Sequence, residues 1–282
     1  MSLPTIGFLG AGHMASALIA GLLQADSGFT PAHIIASTHS AQSAARIKAQ
    51  FGIDCRADNR WLCENADYLI LAVKPAHMRT VLEEMREYAC NASLVISVAA
   101  GISSADYRKF LGDDVLFVRA MPNIAAKAQA SLTGLYSDEA LEEEDEILIE
   151  QIFAAVGATI WLEDETQMDG FIALCGSGIA YFFRFMQAMQ QAGERYGFEK
   201  EELYDIIGLT ALGAATLAVD GSSEQISDFA GFVNSIASPK GTTEQALNVF
   251  ERDGLDALVE RAMSAVAARS RAISEEISGE WS

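Results

Sequence analysis

The first half of the chain alternates short apolar runs with segments whose apolar residues recur at helical spacing. Tyr68–Val73 is a continuous apolar run, typical of a strand buried on both faces of a sheet. Strands are predicted at Thr5–Leu9, Ile34–Ser37, Ile53–Cys55, Tyr68–Val73, Leu94–Val98, Val115–Arg119, Ser131–Leu135 and Thr159–Leu162. Helices are predicted at His13–Ala25, Ala41–Gln50, Ala76–Ala89, Ser103–Phe110 and Ala140–Ala154. This repeated order predicts an α/β fold with a doubly wound parallel sheet.

The pattern changes after about Asp164, beyond which only helices are predicted. They span Gln167–Tyr196 (broken at Gly176 and Gly178), Glu201–Val219, Glu244–Phe250 and Leu255–Ile277, with a loop at 234–243. The chain is therefore divided into an α/β domain, residues 1–164, and an all-α domain, residues 165–282. Glu201–Val219 is apolar nearly all round, so it must be covered on every side. An intertwined helical dimer would provide that cover.

The amino-acid composition limits which classes of molecule this protein is expected to bind. The 282 residues are 50% hydrophobic, enough for a sizeable core, and the formal net charge is -20. Such a charge repels nucleic acid and anionic lipid, so neither is expected as a partner. No secretory signal is recognisable at the start, and the most apolar later segment, Leu203–Val219, contains Asp205 and lacks basic flanks. We therefore expect a soluble, cytoplasmic protein.

Metal and disulfide chemistry are not expected. The four cysteines are scattered and include no C-x-x-C pair, which suits a reducing compartment. The four histidines show no spacing of metal ligands. The candidate chemistry therefore lies in loops rather than in a metal centre.

A glycine turn follows the first predicted strand. Gly10, Gly12 and Ala15 form the pattern G-x-G-x-x-A between that strand and a helix. In a dinucleotide site the first glycine allows the turn, the second lets a pyrophosphate approach the backbone, and the small third residue allows close helix packing. The helix N-terminus favours an anion. The pattern predicts nucleotide binding.

The second predicted strand ends in Ser37, Thr38 and Ser40, where an NAD site usually has a carboxylate for the ribose hydroxyls. Hydroxyl groups would accept a 2′-phosphate without repelling it. We therefore expect NADP (NADPH) rather than NAD, although an ordinary loop with a serine cap would have the same composition.

Three more loops follow predicted strands: Ala72-Val73-Lys74-Pro75, Val98-Ala99-Ala100-Gly101, and Met121-Pro122-Asn123. Ligands bind at the carboxyl ends of parallel strands, so these loops are expected to converge on one crevice. The small residues at 99–101 would let a flat nicotinamide ring lie against backbone. Lys74 either neutralises a phosphate or is a surface cation, and Asn123 either holds a carboxamide or caps its turn.

The loop Ser238-Pro239-Lys240-Gly241-Thr242-Thr243 precedes a predicted helix. A helix start with free N–H groups and two threonines can hold a carboxylate. A plain threonine cap explains the same residues, and the loop alone favours this simpler interpretation.

Taken together, these motifs resemble the pyrroline-5-carboxylate reductase family over essentially the whole chain. The resemblance includes Gly176-Ser177-Gly178 with Ala180-Tyr181, and the loop at 238–243 is its most diagnostic part. It implies an N-terminal Rossmann domain that binds NAD(P)H, usually NADPH, and a C-terminal helical domain that forms a homodimer, often assembled into a decamer. It implies reduction of the cyclic imine 1-pyrroline-5-carboxylate to L-proline, the last step of proline biosynthesis.

The resemblance also implies residue roles. Cofactor contacts would fall on Leu9, Gly10, Ala11, Gly12, His13, Met14, Ser37, Asn59, Ala72, Val73, Lys74, Pro75, Val98, Ala99, Ala100 and Asn123. Ser238, Gly241, Thr242 and Thr243 would bind the substrate carboxylate, with the cofactor belonging to the partner subunit. Thr243 is the best candidate to hydrogen-bond the ring nitrogen, with water as the proton source. Glu224 lies near a functional glutamate of the family, at a different spacing.

The chain departs from the family pattern at several positions. Ile124 and Ala125 replace Thr-Pro, Ile179 replaces a proline, Lys240 replaces a glycine and His13 replaces Asn or Gln. Two other functions stay open: a different NADP-dependent imine or hydroxyacid reductase, and a catalytically silent nucleotide-binding paralogue. A hydroxyacid enzyme would need a lysine on the first long helix of the second domain, and Gln167–Gln191 contains none.

Overall fold

The computed structural model describes residues 3–24, 27–88, 90–112, 115–219 and 228–281. The chain divides into two compact units: the residues up to Ser177 together with those from Val266 onward, and Gly178–Ala265. The boundary expected between residues 164 and 165 is a division of sequence pattern and stays a prediction. The helix ends expected at Ala25 and Ala89 lie outside the described residues.

The first unit is built on one sheet of eight strands. They are β1 (Ile6–Leu9), β2 (Ile34–Ser37), β3 (Asp54–Arg56), β4 (Tyr68–Leu71), β5 (Leu94–Ser97), β6 (Leu116–Met121), β7 (Ser131–Ser137) and β8 (Gly157–Trp161). Their order across the sheet is β3-β2-β1-β4-β5-β6-β7-β8. The order reverses beside β1, which brings the ends of β1 and β4 together at the switch point where such sheets bind ligands.

The expected doubly wound sheet is confirmed, with one difference at its far edge. β6 and β7 are antiparallel, whereas the other six neighbouring pairs are parallel. The connection between Met121 and Ser131 holds only a short 3-10 helix, Ile124–Ala128. A parallel crossover needs about a dozen residues or more, so this connection can only return the chain in the opposite direction.

The helices of the first unit follow the expected strand–helix order. They are α1 (His13–Gln24), α2 (Ala41–Phe51), α3 (Asn59–Asn65), α4 (Pro75–Met85), α5 (Ser104–Leu111), α6 (Glu143–Ala154) and α7 (Gln167–Phe171). The sequence pattern did not predict α3, which has only seven residues. Its start is fixed by Asp58, whose side chain accepts a hydrogen bond from the Trp61 N–H at 2.9 Å.

Alternate residues of the central strands belong to two apolar cores, one on each face of the sheet. Ile6 and Phe8 belong to one core with α1, α2 and α6, whereas Leu9 belongs to the other with α3, α4 and α5. Successive side chains of a strand point to opposite faces, so the continuous apolar runs are explained by helices on both sides. Trp281, near the C-terminus, is buried in the second core.

The second unit is helical. After a π-helical turn at Ile172–Gly176, the chain forms α8 (Gly178–Gly193), α9 (Lys200–Val219), α10 (Phe229–Ile236), α11 (Thr242–Arg252) and α12 (Leu255–Glu280), and α12 belongs to the first unit from Val266 onward. The expected break near Gly176 is present. The loop expected at 234–243 is shorter, because α10 extends to residue 236 and α11 begins at residue 242.

Many apolar side chains of the second unit are exposed in the single chain. Phe182, Leu209 and Phe229 are 69%, 68% and 78% exposed, respectively. By length and composition alone, the stretches Gln167–Tyr196 and Lys200–Val219 could cross a membrane. Apolar surface on this scale requires a cover that the isolated chain does not provide.

Candidate active site

The glycine turn joins β1 to α1 and leaves open space beside the helix start. Gly10 has φ +91°, a left-handed conformation that favours glycine, and its N–H donates to the Ser37 carbonyl at 3.1 Å. A Cβ added at Gly12 would meet no atom of the described residues within 4 Å, whereas Ala15 is fully buried. The first N–H groups of α1 have no partner within the helix. Space, free donors and the helix dipole together fit a pyrophosphate.

The turn lies directly against the loop that follows β4. A Cβ at Gly10 would come within 2.8 Å of Val73 Cγ1 and 3.0 Å of the Ala72 carbonyl oxygen. The Ala72 N–H donates to the Leu9 carbonyl at 2.9 Å, and the Val98 N–H donates to the Leu71 carbonyl at 3.1 Å. The structure therefore brings together the ends of β1, β4 and β5, as expected for a crevice at the switch point.

Lys74 and Pro75 lie at the start of α4. Lys74 is the N-cap residue, with extended backbone, and Pro75 is the first helical residue, where its missing N–H is not needed. Lys74 is exposed. The geometry is compatible with either of its two proposed roles.

The end of β2 holds a hydrogen-bonded chain of polar side chains. Ser37 is fully buried, and its Oγ donates to Asn59 Oδ1 at 2.8 Å. Asn59 Nδ2 donates in turn to Glu84 Oε2 at 3.1 Å. Thr38 Oγ1 donates to the Ser40 carbonyl, and Ser40 caps α2. These hydrogen bonds bring Ser37 and Asn59 together, and the Asn59 amide lies between the Ser37 hydroxyl and the Glu84 carboxylate.

Arg56 is a functional candidate that the sequence pattern did not reveal. β3 pairs with β2 so that Arg56 lies beside Ser37, and the Thr38 N–H donates to the Arg56 carbonyl at 2.9 Å. Its guanidinium lies 4.0 Å from the Trp61 ring centroid and is paired with Asp54 at 2.8 Å. An arginine near the end of β2 is what a 2′-phosphate requires. Only the pairing register reveals it, because 19 positions separate the two residues along the chain.

Asn123 is 6% exposed, and its amide is engaged within the protein. Its Oδ1 accepts a hydrogen bond from the Ala125 N–H at 2.9 Å, which caps the 3-10 helix. Its Nδ2 donates to Cys175 Sγ at 3.1 Å, and burial raises the pKa of that thiol, which keeps it protonated. The geometry favours the capping role of Asn123 over a carboxamide-binding role.

The loop at 238–243 forms a tight turn at the N-terminus of α11. The Gly241 N–H donates to the Ser238 carbonyl at 2.9 Å, and Gly241 occupies the N-cap position without a side-chain cap. Thr242 and Thr243 are exposed in the first helical turn, so neither is the cap residue. The free N–H groups and both hydroxyls are therefore accessible to an anion.

Lys240 has a backbone conformation that favours glycine. Its φ is +62°, and its N–H donates to Glu244 Oε2 at 2.8 Å. A non-glycine residue in the left-handed region costs about 1–2 kcal/mol. The turn geometry is kept in this chain with a cation added beside the helix start.

Two expectations have no structural counterpart to examine. Glu224 lies outside the described residues. Among the residues that the structure does describe, no group of three or more His, Cys, Asp or Glu side chains is arranged to hold a metal ion.

Comparison with known proteins identifies both halves of the chain. A family model described as pyrroline-5-carboxylate reductase dimerisation matches residues 165–273, and one described as NADP oxidoreductase, coenzyme F420-dependent, matches residues 5–101. A pyrroline-5-carboxylate reductase of Pseudomonas aeruginosa is 38% identical over 277 residues, covering 98% of this chain and 99% of its own.

Solved structures agree with these matches. A pyrroline-5-carboxylate reductase from Coxiella burnetii superposes with a TM-score of 0.88 at 35% identity, covering 97% of this chain and 99% of its own. A Plasmodium falciparum pyrroline carboxylate reductase with NADP bound gives a TM-score of 0.81 at 23% identity, covering 97% and 99%. The latter likeness shows the shared fold.

Proposed function

The chain belongs to the pyrroline-5-carboxylate reductase family, and from that premise we propose which of its residues carry the reaction. The reaction is the NAD(P)H-dependent reduction of the C=N bond of 1-pyrroline-5-carboxylate to L-proline, the last step of proline biosynthesis. The observation that carries the assignment of the cofactor site is the open space at Gly12 beside the N-terminus of α1.

The cofactor residues are assigned along the crevice. Leu9–Met14 hold the pyrophosphate, Ala72–Pro75 and Val98–Ala100 face the nicotinamide end, and Asn123 shapes the adjoining turn. When bound, the reduced nicotinamide supplies a hydride for the imine carbon. Ser37, Asn59 and Arg56 surround the ribose of the adenosine half. We assign a preference for NADPH because that end carries the Arg56 guanidinium, and the Glu84 carboxylate there accepts a hydrogen bond from the Asn59 amide.

The substrate is held at the start of α11. The free N–H groups there, with the hydroxyls of Ser238 and Thr242 and the backbone of Gly241, bind its carboxylate. Thr243 Oγ1 hydrogen-bonds the ring nitrogen, and water supplies the proton. The accessibility of this helix start and its lack of a side-chain cap support the assignment.

The assembly follows from the dimerisation domain. Residues 165–273 match that domain, so the protein is an oligomer, and the exposed apolar faces of α8, α9 and α10 are explained by subunit contact. We further propose a homodimer that associates into a decamer in the cytoplasm. Light scattering after gel filtration tests this: the expected masses are twofold or tenfold the 30.3 kDa chain mass, and a monomer contradicts the proposal.

The role of Thr243 is tested by NADPH oxidation with 1-pyrroline-5-carboxylate. Thr243→Ala removes the hydroxyl and is expected to lower kcat about tenfold or more, because a hydrogen bond to a charged group is worth about 1.5–3 kcal/mol. Thr243→Ser keeps the hydroxyl and is the matched control, expected within about threefold of the wild type. Unchanged kinetics in Thr243→Ala would remove Thr243 from the mechanism, whereas a wild type that binds NADPH without turnover would favour a silent paralogue.

The proposal that each site combines two subunits has its own test. Gly12→Asp chains, deficient in cofactor binding, are mixed with Thr243→Ala chains under conditions that exchange subunits. In a mixed dimer, one site then receives an intact cofactor segment from one chain and an intact loop from the other. About a quarter of wild-type activity is expected by random pairing, whereas a site built from a single chain gives no recovery.

A further inference from the structure

The segment after β5 is fixed by two buried hydroxyl groups. Ser97 and Tyr107 are 1% and 0% exposed, and Ser97 Oγ lies 2.5 Å from the Tyr107 hydroxyl. The same Ser97 Oγ accepts a hydrogen bond from the Ala99 N–H at 3.2 Å. A hydrogen-bonded chain therefore runs from the Tyr107 hydroxyl to the backbone of the Val98–Ala100 segment.

Tyr107 is itself held rigidly in the core. Its ring centroid lies 4.5 Å from that of Phe117 and 6.5 Å from that of Trp281, which meets it edge-on. Next to it, Asp106 accepts a hydrogen bond from Ser278 Oγ at 2.7 Å. Burial raises the pKa of Tyr107, so the phenol stays protonated over the whole working range. The hydroxyl thus has a fixed position and a fixed protonation state.

The far side of the same segment is closed by the last helix. Gly101 has φ +79°, and a Cβ there would come within 2.7 Å of Ile273 Cγ2 on α12. The Ser104 N–H and Oγ both donate to Glu165 Oε1, at 2.7 and 2.9 Å. The backbone at 98–101 is therefore held at its C-terminal end, and the Ser97–Tyr107 pair is a side-chain contact that reaches the part assigned to the cofactor.

We propose that Tyr107 is a positioning residue for the nicotinamide end of the cofactor, acting through Ser97 on the Val98–Ala100 segment. This inference rests on the assignment of that segment to the cofactor in the proposed function. A buried hydroxyl pair is satisfied whether or not it has a role. The bond from the Ala99 N–H makes the pair relevant to cofactor geometry, because displacement of this backbone changes the surface offered to the ring.

The experiment compares Tyr107→Phe with Tyr68→Phe in the intact oligomer. Both changes remove one hydroxyl from a tyrosine of the sheet unit, and Tyr68, at the opposite end of its strand from the crevice, bonds to Asp145. Tyr107→Phe is expected to raise KM about threefold to tenfold for NADPH, and equally for NADH, because the nicotinamide end is common to both. The KM for 1-pyrroline-5-carboxylate and kcat are expected to stay within twofold.

The Ser97→Ala variant and the double variant complete the test. If the two hydroxyls act in series, the double variant is expected to show no more than the larger single effect. Three results would overturn the positioning role, provided that the wild type binds NADPH. They are unchanged cofactor KM values in Tyr107→Phe, an equal change in Tyr68→Phe, and additive losses in the double variant. A wild type that does not bind NADPH would overturn the proposed function and this inference together.

Discussion

Two glycines of the same turn are expected to respond to alanine in opposite ways. Gly10 has φ +91°, and an added Cβ would lie 2.8 Å from Val73 Cγ1. The left-handed backbone costs about 1–2 kcal/mol for alanine, and overpacking adds about 1–3 kcal/mol. Gly10→Ala should therefore lower the free energy of unfolding by about 2–5 kcal/mol, a large part of the about 5–15 kcal/mol that a domain has.

Gly12→Ala should leave the fold intact and weaken cofactor binding. Its Cβ would meet no atom within 4 Å in the part of the chain that the structure describes. The weaker capping by alanine and the reduced freedom of the unfolded chain are each below about 1 kcal/mol and act in opposite directions. The Cβ would, however, occupy the space assigned to the pyrophosphate. Loss of one charged hydrogen bond, about 1.5–3 kcal/mol, corresponds to about a tenfold to 150-fold weaker Kd.

Thermal unfolding and NADPH fluorescence titration measure the two effects separately. We expect Gly10→Ala to lower Tm by at least about 4 °C, and Gly12→Ala to keep Tm within about 2 °C of the wild type. An unchanged Kd for NADPH in Gly12→Ala would show that the open space is not the pyrophosphate site. A large fall in Tm for Gly12→Ala would show that the space is not open.

Three further predictions concern residues outside the glycine turn. Arg56→Gln should raise KM for NADPH about tenfold and leave KM for NADH within twofold, with Arg60→Gln as a surface control. Equal shifts in KM for both cofactors would refute the 2′-phosphate role of Arg56. Lys240→Gly should raise Tm, because about 1 kcal/mol of backbone strain is removed, and a lower Tm would contradict the strain argument. The same variant should raise KM for the substrate. Alkylation of Cys90 should reach its plateau at a lower pH than alkylation of a free cysteine, because a hydrogen bond from Cys63 lowers the Cys90 pKa. A pH profile that matches free cysteine would contradict this prediction.

Much of the fold is contained in local pattern. The continuous apolar runs predicted the strands because helices cover both faces of the sheet. The glycine turn and the break near Gly176 were also predictable, since both depend on backbone freedom within a few residues. The direction of β7 was not, although the short connection at 122–130 could have revealed it.

Some residues of the candidate site could likewise be predicted from local sequence, and others could not. Gly10 and Gly12 are recognisable from sequence because their role depends on the absence of a side chain at a defined spacing. The hydrogen bond from Asn123 to Cys175 and the position of Arg56 beside Ser37 depend on partners distant along the chain. Such partners are chosen by strand register and helix packing, which no local pattern encodes.

The sequence by itself determined that this chain folds as a nucleotide-binding α/β unit followed by helices, because periodicity and glycine placement act over a few residues. Only the tertiary structure decided which side chains pack against the binding loops and fix their backbone. The Tyr107–Ser97 pair, Ile273 against Gly101 and the left-handed Lys240 each depend on packing or on backbone geometry. Close packing allows one arrangement of these groups, and that arrangement exists only when the whole unit has folded.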